Sequence, residues 1–474
     1  MIADLKPYPA YKESGSKWLG AVPTKWDVRN LRTLISKRAE RDRADLPLLS
    51  VAREKGVFVR SLTDADENHN VIPEDLSNYK VARAGNLVIN KMKAWQGSMG
   101  IAPCDGIVSP AYFVFDFRIT NHAFGQRLLR SKPYVAHFGQ ASDGVRVGQW
   151  DLSIPGMRQI PVLVPSPSEQ AAIVRFLDWA NGRLERAIRA KRKVIALLGE
   201  QKQAIIHRAV TRGLPSTGSG QATSVPLKPS GIPWLGDIPQ DWEVWSFVRC
   251  TIERADYRGA TPEKVESGVF LVTAKNIRKG WIDYESSKEY VRASEYSRIM
   301  RRGLPKKGDV LLTMEAPLGH VALIDREDIA LAQRIIRFRL HAGRLLTQFA
   351  LLCLNSPYFQ NQLNERATGS TAQGMKASKL PQLLVALPTI AEQEVIVGYV
   401  AHECAPLDVA ISRLEREIEL LREYRTRLVA DVVTGKIDVR EAAARLPDEA
   451  APDTADNYSD VSDETEAADE EPAV

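Results

Sequence analysis

At 474 residues the chain is longer than one ordinary hydrophobic core organises, so two to four domains are expected. Its apolar fraction of 44% is that of a folded globular protein, and 64 Lys and Arg against 59 Asp and Glu give a formal charge of +5. That charge is unevenly spread: Pro447 to Val474 holds 11 acidic and no basic residues, which leaves 64 basic against 48 acidic, or +16, on the rest. A basic body with an acidic tail suits a polyanion, nucleic acid or an anionic membrane.

Near the start the chain reads SGSKWLGAVPTKWDV (Ser14 to Val28), and from Ser230 to Val244 it reads SGIPWLGDIPQDWEV. Eight residues, two of them tryptophans, recur at an offset of 216. Further on, RAGNLVI (Arg83 to Ile89) is answered by KKGDVLL (Lys306 to Leu312) at an offset of 223, each a Gly-Asn or Gly-Asp turn running into an apolar strand. PSPSEQAAIVRFL (Pro165 to Leu177) is answered in the same register by LPTIAEQEVIVGYV (Leu387 to Val400), with Glu169-Gln170 over Glu392-Gln393. The chain is two copies of one unit, roughly 1–213 and 214–440, followed by a tail.

Within each copy the first part, about 18–160 and 234–385, has short apolar runs separated by Gly and Pro. Those runs predict a strand-rich, mixed α/β domain. The second part predicts a long helix. From Pro167 or Ser168 to about Arg212, apolar residues step by four and three through Ile173, Leu177, Ala180, Leu184, Ala187, Val194, Leu198 and Ile205, with Lys191 and Gln201 interrupting the seam. The counterpart runs through Ile396, Val400, Leu407, Ala410, Leu414, Leu421 and Leu428, broken by Glu403 and Glu417, with Pro406 expected to kink it or end a first segment. Each would span about 60 Å. Antiparallel pairing would place the two domains at opposite ends, related by an approximate two-fold axis. The expected boundaries are a first domain over 1–165, its helix over 166–213, a linker over 214–226, a second domain over 227–388, its helix over 389–440, and an acidic, disordered tail over 441–474.

No run approaches the roughly 18 apolar residues of a membrane span. Met1 to Tyr11 lacks the apolar centre of a signal peptide, and a cytoplasmic location is expected. Cys104, Cys250, Cys353 and Cys404 are too far apart for a zinc knuckle and read as buried apolar residues. The seven histidines fall in no metal-ligand spacing.

Phosphate affinity should come from Lys and Arg, and discrimination from side chains that reach base edges. In the first domain NKMKAWQGSMG offers Asn90, Lys91, Lys93, Gln96 and Ser98 in a glycine-bounded loop, and SDGVRVGQW offers Arg146. Both are candidates for DNA contact, against the plainer reading of basic hairpins. In the second, TAKNIRKG offers Lys275, Asn276 and Arg278, and GSTAQGMKASK offers Ser370, Thr371, Gln373 and Lys376. Glu315, in TMEAPLGHVA, either accepts from a cytosine amino group or lies in a solvated turn. The five basic residues between Arg186 and Lys193 form a solvated helix face or one that passes close to a duplex. Trp18, Trp26, Trp234 and Trp242 are expected to pack the start of each domain.

Catalytic signatures are weak. Asn355-Ser356-Pro357-Tyr358 departs from N-P-P-Y at its second position, reads as a turn between two helices, and has the repeat partner Arg130-Ser131-Lys132-Pro133-Tyr134, which lacks the Asn. Gly369 to Lys376 is not a P-loop, because it reads G-x-x-x-x-G-M-K.

The doubled W-L-G-x-[IV]-P-x-x-W opening, the G-[ND]-[LV]-[VL] strand entry, the P-x-x-x-EQ helix start and GSTAQGMKASKLPQLLVALPTIAEQ (Gly369 to Gln393) together resemble the specificity subunit of type I restriction–modification systems, the HsdS family. The resemblance covers about 14–440; the acidic tail lies outside the family pattern, and the first copy's closing segment, Phe138 to Gln170, matches the second only loosely. It implies two target recognition domains on helical spacers, each reading half of a split, asymmetric sequence in double-stranded DNA. It implies two methyltransferase subunits on the helices, adenine as the modified base, and restriction (translocase) subunits in the full complex. The chain itself would be non-catalytic and bind no cofactor, with S-adenosylmethionine, ATP and Mg2+ carried by partners. The rival readings are a self-sufficient restriction enzyme, which the missing motifs disfavour, and a protein scaffold whose domains do not bind DNA.

Overall fold

The computed structural model describes residues 5–60, 75–146, 149–214, 226–257, 262–369 and 373–447. Ser370 and Thr371, most of the expected linker, and the tail from residue 448 onward lie outside the described residues. The chain divides into two compact units, Met1–Ala190 with Glu417–Val474, and Lys191–Arg416.

The repeat seen in sequence is a repeat of topology. The first unit is built on a four-stranded antiparallel sheet with the spatial order Ile35–Lys37, Tyr112–Phe117, Leu87–Asn90, Met99–Ile101. In the second the order is Thr251–Asp256, Ile335–Leu340, Val310–Met314, Leu318–Leu323, which is the same path through the corresponding segments. The Gly-Asn and Gly-Asp turns feed the third strand of each sheet, whose side chains are almost all buried because both faces are covered. One face carries a helix pair, His122–Leu129 with Lys132–Gln140 or Thr347–Leu354 with Pro357–Arg366. The other carries a smaller apolar cluster, around Leu49, Val88 and Val114 or around Leu271, Leu311 and Ile335.

In the second unit the sheet also holds a buried charge cluster. The Arg337 side chain is wholly inaccessible, donates to Asp309 at 2.8 Å, and pairs with Glu253 and the Tyr257 hydroxyl. Arg339 adds two bonds to Asp309, each 2.9 Å.

The long helices are Pro167–Arg212 and Ile390–Val433. The second runs continuously through Pro406, so that residue does not end a first segment. Proline removes a single backbone donor, and the turns beside it are held by buried Cys404 and by Asp408, which pairs with Lys202 at 2.5 Å. This helix also has an 18-residue stretch of mean hydropathy 1.3 and is long enough to cross a bilayer, although Glu403 and Asp408 interrupt its apolar residues. Three of its apolar residues, Ile396, Val400 and Cys404, belong to the core of the second unit.

Each unit is completed by the far end of the other copy's helix. Leu428, Val432 and Val433, with Val439 and with Ala443 of the short helix Arg440–Ala444 that follows it, join Trp26, Phe124, Tyr134, Ile173 and Phe176 in the first core. Ile206, Ala209 and Val210 join Trp242, Phe247, Phe349 and Ile396 in the second. The packing is antiparallel in both, with Glu185 paired to Arg425 in one and Lys202 to Asp408 in the other. Between these ends the predicted seam is looser: Leu198, Leu407 and Leu414 are half-buried, and Val194 is exposed.

The repeated Glu-Gln is a joint between helix and domain. Gln170 and Gln393 are fully buried. Gln170 accepts from the Asn121 amide at 3.0 Å and donates to the Pro165 carbonyl at 2.8 Å; Gln393 accepts from the Leu346 amide at 2.9 Å and donates to the Pro388 carbonyl at 3.0 Å. Glu392 accepts from the Trp242 indole at 3.0 Å, which fixes the first tryptophan-rich segment of its unit against the helix start.

Candidate nucleic-acid interface

In the first unit the loop after Leu87–Asn90 turns through a short 3-10 segment, Ala94–Gln96, and closes on Gly97 at φ +90°. Asn90 builds this loop: its side-chain oxygen accepts from the Met92 amide at 3.1 Å, and its amide and carbonyl bond Ser98 and Lys93 at 3.0 and 3.2 Å. The loop is joined to the hairpin Ser142–Arg146 / Gln149–Leu152. Leu152 donates to the Lys91 carbonyl at 2.8 Å, the Lys91 ammonium lies 3.0 Å from Asp151, and Trp95 packs on Trp150 with ring centroids 5.0 Å apart. The two sequence candidates therefore form one surface. On it Lys91, Lys93 and Gln96 are half-buried, and Arg146 sits opposite Gln149 in the hairpin. Ser98 is 2% exposed and lies beneath the loop, so it does not reach a ligand.

The equivalent segments meet in the second unit as well. Glu315 bridges to Gly374, and Met375 donates to the Met314 carbonyl at 2.9 Å, which joins the loop after Val310–Met314 to the segment carrying Gln373 and Lys376, both exposed. The basic loop 273–281 joins them from the side: Gly280 donates to the Val321 carbonyl at 2.8 Å, and a His320 ring nitrogen lies 3.0 Å from the Ile277 carbonyl. Lys275 is exposed, and Arg278 is half-buried with its Nε 3.3 Å from Asp283. Asn276 is fully buried. Its oxygen accepts from the Thr273 amide and hydroxyl at 2.8 and 2.9 Å, and its nitrogen donates to the Asp283 and Ser287 carbonyls at 2.8 Å each. With both ends of its amide engaged, Asn276 holds the loop and does not read a base.

Sequence reasoning missed two parts of these surfaces. One is the hairpin Leu49–Ala52 / Gly56–Val59, which backs onto the strand Met99–Ile101 and lifts Arg53, Glu54 and Lys55 into solvent. The other is Trp281, 57% exposed at the end of the loop that carries Lys275 and Arg278. The signal was present: Lys55-Gly56-Val57-Phe58 and Lys279-Gly280-Trp281 fall within one residue of the repeat register.

The near-catalytic motif is structural. Asn355 ends the helix Thr347–Leu354 and donates to the Leu351 carbonyl at 2.9 Å, Ser356 donates to the Cys353 carbonyl, and Tyr358 is inaccessible, its phenol pushed far up by burial. Its partner Tyr134 is equally buried and accepts from the Leu163 amide at 3.2 Å. Among the described residues no three His, Cys, Asp or Glu side chains are grouped to hold a metal ion.

Residues 289–401 match the family described as the type I restriction modification DNA specificity domain. That stretch contains the loop 313–322 and the segment 373–379, and it ends inside the second long helix. No curated protein matches the chain. Among solved structures, one from work on the complex assembly and conformational transition of the type I R-M system aligns with a TM-score of 0.55 at 15% identity, over 87% of this chain and 98% of that one. The HsdS subunit from Thermoanaerobacter tengcongensis aligns at a TM-score of 0.41 and 15% identity (87% and 96% covered), and the type I S subunit from M. genitalium at 0.32 and 12% (86% and 96%). Residues 289–401 are thus similar to a type I restriction modification DNA specificity domain, and the chain shares its fold over most of its length with a structure solved in work on a type I R-M system.

Proposed function

We propose that the chain is the DNA-reading, non-catalytic subunit of a type I restriction–modification complex. One observation carries this reading: both units assemble the same two loops into one polar, partly cationic surface, and in the second unit those loops lie inside the specificity-domain match. Two versions of one scaffold bearing different loops suit a target of two unlike halves. Lys91, Lys93, Gln96 and Arg146 would face one half-site, and Lys275, Arg278, Gln373 and Lys376 the other, with Ser370 and Thr371 on the same segment. Asn90, Ser98 and Asn276 hold those loops in shape. Two methyltransferase subunits would bring S-adenosylmethionine, and restriction subunits ATP and Mg2+, to double-stranded DNA in the cytoplasm.

Mapping modified adenines along the host genome by single-molecule sequencing, with and without this gene, tests the reading. Loss of one bipartite motif on deletion is expected, and it would report both half-sites and the gap. An unchanged methylation pattern, with the neighbouring methyltransferase expressed, overturns it.

A further inference from the structure

We propose that Trp281 is an apolar base contact of the second unit: its indole stacks on, or wedges beside, a base step of the half-site that this unit reads, while Lys275 and Lys279 hold the flanking phosphates. The proposal rests on the DNA-reading function above.

A tryptophan 57% exposed on a folded protein calls for an explanation, because its ring is among the largest apolar surfaces a chain can bury. Flexibility does not supply one. The turn is closed by a bond from the Arg278 amide to the Trp281 carbonyl at 3.0 Å and by the bridge Ile277 to Ile282. Ile277 and Ile282 are 0% and 4% exposed, so the residues around the turn point inward while the indole stays out. Gly280 donates to Val321, and its φ of +110° is one that glycine adopts readily. Beneath the turn lies the four-bond clamp of Asn276. The result is a rigid arm whose apolar tip is flanked by exposed Lys275 and Lys279 and half-buried Arg278.

An apolar ring on an arm that also carries cations matches duplex DNA, which offers flat base faces between two rows of phosphates. It is a poor match for an apolar protein groove, where the lysines would lose water without gaining partners. The first unit carries a related device at the corresponding place: Phe58 is half-buried beside the tip of its hairpin, with the Lys55 ammonium 5.2 Å from its ring centre. The tryptophan arm lies outside the residues that match the specificity domain.

The test uses the full chain purified with its methyltransferase, and a duplex carrying the bipartite target found by adenine mapping. Trp281→Ala should bind that duplex roughly tenfold to a hundredfold more weakly. Trp281→Phe should keep most of the affinity. The slope of log affinity against log salt should not change, because no phosphate contact is removed. Equal binding by Trp281→Ala and the wild type overturns the proposal. So does loss of methyltransferase from the purified Trp281→Ala complex, which would make the ring a protein contact. If the wild-type complex itself fails to prefer the mapped duplex, the DNA-reading function fails first, and this inference with it.

Discussion

Leu428 belongs by sequence to the second copy, yet its side chain, 3% exposed, packs in the first unit with Ile173, Phe176 and Leu177. Leu428→Ala should therefore weaken the N-terminal half of the protein. Truncating a leucine in a closed core costs about 2–5 kcal/mol. Taking about 3 kcal/mol, the open form of that unit becomes roughly a hundredfold more populated. Amide hydrogen exchange followed by mass spectrometry on the full chain reads this directly, because strongly protected amides exchange through such openings. Peptides from Leu87–Asn90, Tyr112–Phe117 and the helix His122–Leu129 should lose protection by about that factor, those from Val310–Met314 and Ile335–Leu340 much less. Val210→Ala, in the second core, should show the opposite pattern. If Leu428→Ala instead exposes chiefly residues 247–404, the assignment of the helix ends to the opposite units is wrong.

Asp309→Asn strips the inaccessible Arg337 of its buried carboxylate partner and should cost about 3–5 kcal/mol in urea unfolding of the second unit, whereas a cost under about 1 kcal/mol would mean the cluster is solvated. Gly435 has φ +75°, and a Cβ there would meet Pro23 ring atoms at 2.5 and 2.6 Å; Gly435→Ala should destabilise the first unit by about 2–4 kcal/mol in the same assay, and a neutral result would refute that close approach. His207 has its pKa lowered, first by burial and then by the Arg212 cation. The unfolded chain therefore takes up that proton more readily, and stability falls as pH drops below about 6.5; His207→Gln should flatten the thermal midpoint between about pH 7 and pH 5, and an unchanged slope would exonerate this residue. Exposed Lys376, as a phosphate contact, should on replacement by Ala weaken binding to all duplexes alike and reduce the salt slope by about one, whereas a loss confined to one base pair would make it a base reader.

The duplication was legible because turns, tryptophans and the Glu-Gln pair recur in register, and from it came the correspondence of the loops; the mixed α/β class and the two helices came from the spacing of apolar residues within each copy. The role of Gln170 and Gln393 was not legible, since it consists of bonds to an amide some fifty residues earlier, Asn121 and Leu346, that only the folded chain brings near. In the candidate surfaces, composition picked loops that the fold brings together but could not rank residues within them. Lys275 and Asn276 are neighbours in sequence, yet one is in solvent and the other wholly buried, because a 3-10 turn points consecutive side chains in different directions. Trp281 was passed over for the same reason: tryptophan reads as core until its exposure is seen. Pro406 does not end the helix, since the turns on either side are held by packing that a propensity rule does not weigh.

The exchange of helix ends also sets the order in which the protein can be finished during synthesis. Every residue of the second unit lies in the unbroken stretch Lys191–Arg416, so it has all its parts once that stretch has been made. The first unit, begun earlier, must wait for Leu428, Val432, Val433 and Ala443, and for Gly435, whose carbonyl receives the Tyr11 hydroxyl at 3.2 Å across 424 residues. Until then the growing chain keeps Trp26 and its neighbours without their cover, the kind of surface that recruits chaperones or sticks to other chains. A product ended early, between Arg416 and Leu428, would carry a complete second unit and an unfinished first one.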